Sequence, residues 1–136
     1  MPAKTSARPP RAVLDASALL AYLQHERGHA VVEPLLERAA ISAVNLCEVL
    51  QKALAAGVST DGLEADLDAV GVHVYPFDAE DAAHAAAWSA DTRKLGLSLG
   101  DRACLALAKR LQIPAYTADR VWAEVKVVGV TVKTVR

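Results

Sequence analysis

Aromatic side chains are scarce in this sequence. Two tryptophans, three tyrosines and one phenylalanine make up 4% of its 136 residues. That excludes an RNA-binding sheet of the kind that stacks bases on exposed rings. A net positive charge is missing too. Fifteen Lys and Arg stand against 16 Asp and Glu, for a formal net charge of −1. The composition therefore lacks the basic surface of an ordinary nucleic-acid-binding protein. A polyanion bound here would need positive charge from elsewhere, such as metal ions. Only two cysteines occur, Cys47 and Cys104, too few for a disulfide framework. Both lie in helical, apolar contexts and read as small buried hydrophobes in a reducing compartment, the cytoplasm. No apolar run approaches the ~18 residues that span a membrane. Residues 1–10 carry Lys4 and Arg8 but no apolar h-region, so they are no secretory signal. They read as a disordered leader.

What is present suits one domain over residues 11–136. Hydrophobic residues make up 53% of the chain, mostly Ala, Val and Leu, and charged residues 23%. Ala12-Val13-Leu14 reads as a buried strand ending at Asp15. A helix is predicted from Ala16 to about Gln24, and a short one from Ala30 to Arg38 after a break at Gly28. Ala40-Ile41 reads as a second strand. From about Ser42 to Ala56, Leu46, Val49, Leu50, Ala53 and Leu54 form an amphipathic stripe. Gly57 ends that helix, and another covers about Thr60 to Val70. Val72 to Tyr75 reads as a strand. Long helices are predicted over Ala79–Leu95 and Ser98–Leu111. Ala115 to Thr117 is a strand ending near Asp119, Arg120 to Val125 a short helix, and Val130 to Val135 a last strand. Strands alternate with helices, which predicts an α/β fold with a mostly parallel sheet covered on both faces.

Four acids occupy telling positions, and each also has a purely structural account. Asp15 and Asp119 follow strands and precede helical segments, where Asp is a favoured N-cap. They also lie at strand carboxyl ends, where parallel α/β sheets bind ligands. Asp101 stands at capping-box spacing from Ser98. Glu48 shares a polar helix face with Asn45 and Lys52, and a Glu48–Lys52 pair at i,i+4 would account for it. If the strands are parallel and adjacent, these acids converge on one sheet edge. Clustered carboxylates repel one another. Hard divalent cations relieve that repulsion and prefer oxygen ligands.

The segments around these acids carry a family resemblance. Val13-Leu14-Asp15-Ala16-Ser17-Ala18-Leu19-Leu20, Ile41-Ser42-Ala43-Val44-Asn45-Leu46-Cys47-Glu48-Val49, Leu97-Ser98-Leu99-Gly100-Asp101-Arg102-Ala103-Cys104-Leu105-Ala106-Leu107-Ala108 and Tyr116-Thr117-Ala118-Asp119-Arg120-Val121-Trp122 resemble the four PIN-domain motifs. They stand in family order, and the resemblance covers nearly the whole chain from Arg11. It is closest to the VapC-type toxins of toxin–antitoxin pairs. The resemblance implies a PIN-like three-layer α/β/α fold and a metal-dependent ribonuclease. It implies that Asp15, Glu48, Asp101 and Asp119 hold Mg²⁺ or Mn²⁺ for hydrolysis of RNA phosphodiesters. Asp15 and Asp101 would be direct ligands. Ser17, Asn45 and Thr117 would support the site or contact substrate. A cognate antitoxin, a homodimer and a toxin–antitoxin hetero-oligomer are the implied assemblies, with Val31–Leu36 and Leu63–Val70 helping to bind a partner helix or second subunit. Arg11, Arg93, Lys94, Arg102 and Arg120 are candidates for the RNA surface.

Two competing readings remain open at this level. One is a PIN-like protein- or RNA-binding module without catalysis. The other is an unrelated α/β enzyme with Asp15 as a nucleophile. His25-Glu26-Arg27-Gly28-His29 matches the zinc-protease pattern H-E-x-x-H. Gly28 interrupts the continuous helix that pattern needs, so the segment reads as an interhelical turn. Trp88 and Trp122 read as core residues.

Overall fold

A computed structural model describes residues 8–127 and 129–136. Most of the expected leader, residues 1–7, lies outside the described residues. Five strands form one sheet: β1 (Ala12–Leu14), β2 (Ala39–Ser42), β3 (Val72–Tyr75), β4 (Ala115–Thr117) and β5 (Val132–Thr134). Their order is β3-β2-β1-β4-β5, and every pairing is parallel. Seven α-helices stand among the described residues: α1 (Ala16–Leu23), α2 (His29–Val32), α3 (Ala43–Ala55), α4 (Leu63–Val70), α5 (Ala79–Ala87), α6 (Ser89–Arg93) and α7 (Leu99–Leu111). Short 3-10 helices cover Glu33–Arg38 and Arg120–Glu124.

Strands β1 and β2 are buried along their whole length, as expected where helices cover both faces. Side-chain alternation divides the core in two. Leu14 and Ile41 join Leu19, Val49 and Leu67 on one face. Val13, Ala40 and Ala115 join Leu105, Leu107 and Trp122 on the other. The result is the three-layer α/β/α arrangement. No described helix is long and apolar enough to cross a membrane.

Strand order positions the site. The chain leaves β1 for β2 and β3, then returns to place β4 against the other side of β1. The order therefore reverses between β1 and β4. Ligands in open parallel sheets bind beyond the strand carboxyl ends at such a switch point. Asp15 follows β1 directly, and Asp119 follows β4 by one intervening residue.

Several local expectations change. The helix predicted over Ala79–Leu95 is divided at Trp88 into α5 and α6. Side-chain hydroxyls contact carbonyls there: Ser89 Oγ donates to Ala86 O at 2.8 Å and Thr92 Oγ1 to Trp88 O at 2.9 Å. Such bonds compete with the helical ladder and bend it. The segment from Ala30 to Arg38 tightens into a 3-10 helix from Glu33, with Pro34 in its first turn. Cys47 is exposed and only Cys104 is buried, because Cys47 falls outside the Leu46 and Val49 stripe of α3. Trp122 is fully buried, and Trp88 packs against the same cluster. The segment at His25 is a turn, with His25 at φ 55 and Gly28 at φ 102.

One buried ion pair ties α5 to α7. Asp81 is fully buried. Arg110 meets it in a fork, Nε to Oδ1 at 2.9 Å and Nη2 to Oδ2 at 3.0 Å. Arg110→Ala would leave a buried carboxylate without its charge partner. We expect urea unfolding to show a loss of about 3 kcal/mol, the scale for breaking such a pair. A loss below about 0.5 kcal/mol, the surface-pair range, would contradict this role.

Candidate active site

Asp15 is held by its own helix and by β4. Its Oδ1 accepts from Ala18 N at 2.7 Å, capping α1. Thr117 Oγ1 donates to Oδ2 at 2.6 Å. Ser17 Oγ lies 2.8 and 2.9 Å from the two carboxylate oxygens. The register that pairs Leu14 with Tyr116 brings these residues together from opposite ends of the chain. Ala118 N donates to Ser17 Oγ at 2.9 Å, and Asp119 N to Thr117 Oγ1 at 3.0 Å. Ser17 and Thr117 thus lock the β1 and β4 ends into one unit. Asp119 Oδ1 accepts from Val121 N at 3.0 Å and caps the following 3-10 turn.

Asp101 sits in the first turn of α7. Ser98 Oγ accepts from Asp101 N at 3.2 Å, and Asp101 Oδ2 accepts from Ser98 N at 2.9 Å, a reciprocal capping box. Glu48 comes from the middle of α3. Fully buried Asn45 donates through Nδ2 both to Glu48 Oε1 at 2.9 Å and to Gly100 O at 3.0 Å. One side chain thereby aligns Glu48 and joins α3 to α7. Gly100 permits the approach. A Cβ there would overlap Glu48 Oε2 and lie 2.6 Å from Oε1. The Glu48–Lys52 pair expected from i,i+4 spacing does not form, since Glu48 turns to Asn45 instead.

All four acids line one pocket of about 330 Å³, with Ser17 among its other walls. The capping roles and the shared pocket coexist: Asp15, Asp101 and Asp119 each satisfy backbone N–H groups locally while facing the same space. Burial pushes the Asp15 carboxyl from its ordinary 3.8 up to about 6. Hydrogen bonds from Thr117, Ala18 and Ser17 oppose that rise without cancelling it, and the charge of Asp101 adds to it. Desolvation also raises Asp101, with Asp119 contributing repulsion. Beneath the acids, burial pushes the Cys104 thiol well above its usual range. The negative charges of Asp15, Asp101 and Glu48 reinforce that shift.

The donor set suits a hard divalent cation. It is all oxygen, and a cation would offset the cost of keeping Asp15 ionised. Among the described residues, no three His, Cys, Asp or Glu side chains already converge on one ion position.

The five basic residues proposed for an RNA surface do not line this pocket. Arg11 precedes β1, at the opposite end of the strand from Asp15. Arg102 Nη1 is bound to Ala85 O at 2.7 Å. The pocket's cations are Lys52 and Arg136. Lys52 was hidden in sequence by its apparent pairing with Glu48. Arg136 carried no local signal, since only the position of β5 brings it here.

The PIN domain profile matches residues 12–128. None of the curated proteins compared matches the chain. Among solved structures, DNA-bound VapBC from Salmonella typhimurium has a TM-score of 0.69 at 15% identity, covering 93% of this chain and 99% of that one. VapBC-5 from Mycobacterium tuberculosis, a member of a family of toxin–antitoxin systems, has a TM-score of 0.59 at 24% identity, with 90% and 98% covered. FitAcB from Neisseria gonorrhoeae has a TM-score of 0.61 at 22% identity, with 89% and 95% covered. These likenesses show a shared fold. The profile spans most of the sequence and includes all four acids, and by that match the chain belongs to the PIN domain family.

Proposed function

We propose that this protein is a Mg²⁺- or Mn²⁺-dependent ribonuclease and the toxin of a toxin–antitoxin pair. One observation carries the nuclease reading. Four acids from four separate segments line a single pocket at the switch point between β1 and β4. In this reading Asp15 and Asp101 are ligands of the cation. Glu48 and Asp119 hold it directly or through water, or orient the attacking water. Ser17, Thr117 and Asn45 fix the carboxylates. A bound divalent ion supplies charge neutralisation and Lewis-acid polarisation at a phosphate. Asp119, the exposed acid of the set, lines the pocket while its Oδ1 serves its cap.

The toxin role draws on the relatives, whose described complexes are VapBC assemblies. A groove beside Tyr22, Ala30, Pro34, Leu36 and Val70, lined also by Glu33 and Glu37, is the candidate seat of an antitoxin helix. A homodimer, a toxin–antitoxin hetero-oligomer and action in the cytoplasm complete the proposal.

The test is cleavage of a panel of transfer, ribosomal and messenger RNAs by purified protein. Cleavage with Mg²⁺ or Mn²⁺, abolished by EDTA, is expected. Asp101→Asn retains an oxygen that can accept from Ser98 N, so it should melt normally and cut nothing. Cleavage at the wild-type rate by this variant would sink the site assignment. No metal-stimulated cleavage on the whole panel would favour a silent binding module instead.

A further inference from the structure

The acid pocket has cations on its rim that no motif identifies. Arg136 and Lys52 line it together with Asp15, Glu48, Asp101 and Asp119. The tail that carries Arg136 is built in. Val135 is buried in the core beside β1, and its N–H donates to Thr117 O at 2.9 Å. It packs so tightly on the turn after α1 that a Cβ on Gly28 would lie 2.9 Å from Val135 O. Three contacts then hold Arg136. Its Nη1 donates to Arg27 O at 3.0 Å and lies 3.9 Å from Glu26 Oε1. Arg120 Nε donates to Arg136 O at 3.3 Å. The side chain is one-third exposed, and several of the five guanidinium donors remain for a ligand.

Lys52 reaches the pocket from α3, one turn beyond Glu48. Among the described residues its side chain makes no hydrogen bond or ion pair. An unpaired ammonium beside four carboxylates, with Glu48 turned away from it towards Asn45, is free to meet an anion. The pocket walls include no aromatic ring among the described residues. Base stacking, the usual sequence-tolerant grip on single strands, is therefore not supplied here. Contact with a polynucleotide in this pocket falls to charge.

We infer that Lys52 and Arg136 are the residues that position the substrate backbone, gripping phosphates of a single strand on either side of the carboxylates. This rests on the nuclease reading and adds the substrate contacts to it. Lys52 acts as a mobile point charge. Arg136 presents a fork suited to phosphate oxygens. The grip reads phosphates and leaves base identity to other surfaces.

The test measures anisotropy of fluorescein-labelled single-stranded RNA, one A-rich and one U-rich. The protein carries Asp101→Asn so that the strand stays uncut, and salt is varied in Mg²⁺ buffer. Lys52→Gln and Arg136→Gln should each weaken binding and reduce the slope of log K against log salt by about 0.7, the value for one phosphate contact on a single strand. The losses should match on both RNAs, and Arg136→Lys should restore the slope. Lys126→Gln, in a separate depression with Asp91 and Glu124, should change nothing. Salt-dependent binding with unchanged slopes would overturn the assignment of Lys52 and Arg136 while leaving the nuclease reading intact. Absence of salt-dependent binding in the parent would overturn both.

Discussion

Asp15→Asn should raise the melting temperature of the metal-free protein at pH 7.5 and, at the same time, abolish RNA cleavage. Asp15 is 3% exposed, and burial pushes its carboxyl from 3.8 up to about 6. The folded protein therefore binds this proton more tightly than the unfolded chain does. Stability from Asp15 is complete below pH 3.8 and is lost as pH rises through about 6. A shift of roughly two units corresponds to a cost on the order of 3 kcal/mol at neutral pH. Asparagine removes the charge, and its Oδ1 can still accept from Ala18 N. The amide nitrogen must instead face Thr117 and Ser17, whose hydroxyls can rotate to accept. Some of the gain is lost in that exchange, about 1 kcal/mol for one poorer hydrogen bond. The melting temperature should still rise by several degrees. The difference should shrink as pH falls from 6 to 4, where the wild-type carboxyl becomes protonated.

The same pair tests the metal. Added Mg²⁺ should raise the wild-type melting temperature by mass action and leave Asp15→Asn nearly unmoved. Calorimetry in EDTA and in Mg²⁺ at pH 5 and 7.5 provides the measurement. A variant that melts below wild type at pH 7.5 in EDTA would show that hydrogen bonding outweighs desolvation. A Mg²⁺ response equal to wild type would remove Asp15 from the ligands.

Gly100→Ala separates folding from function in the opposite way. Alanine inside a helix is favoured over glycine by roughly 0.5–1 kcal/mol. The three atoms nearest the added Cβ all belong to the carboxylate of Glu48, the far end of a flexible side chain. Glu48 can swing aside at small cost to folding. It cannot do so and keep the Asn45 bond at 2.9 Å. The variant should therefore melt at or slightly above wild type and cleave RNA about 100-fold more slowly, the scale for losing one preorganised electrostatic group. Adding Glu48→Ala should cost little more, because the two changes disable the same carboxylate. A full additive loss in the double variant would show that Gly100 acts by another route.

Much of this site was legible because its residues obey local rules. Asp15, Asp101 and Asp119 stand after strands or in a first helical turn, and those positions are visible as short apolar runs meeting cap residues. The same legibility caused the ambiguity. Each acid is a real cap, with the bonds to Ala18, Ser98 and Val121 to prove it, so no local pattern separates cap from site. Cys47 is exposed, against the sequence expectation, because an apolar neighbourhood does not fix which side of α3 a residue faces. The Ala-rich run conceals in sequence the break at Trp88, where the hydroxyls of Ser89 and Thr92 bond to backbone carbonyls.

Resemblance to the PIN motifs singled out the four acids; local pattern by itself determined the alternation of strands and helices and the parallel α/β class. These follow from periodicity and capping, which act over a few residues. Only the tertiary structure decided that β4 lies beside β1, and with it that Thr117 bonds Asp15 across 102 positions. It also decided that Gly100 makes room for Glu48, that the Lys52 side chain is left unpaired among the described residues, and that Arg136 reaches the pocket. Those outcomes depend on strand order and close packing between distant segments, which no local pattern encodes.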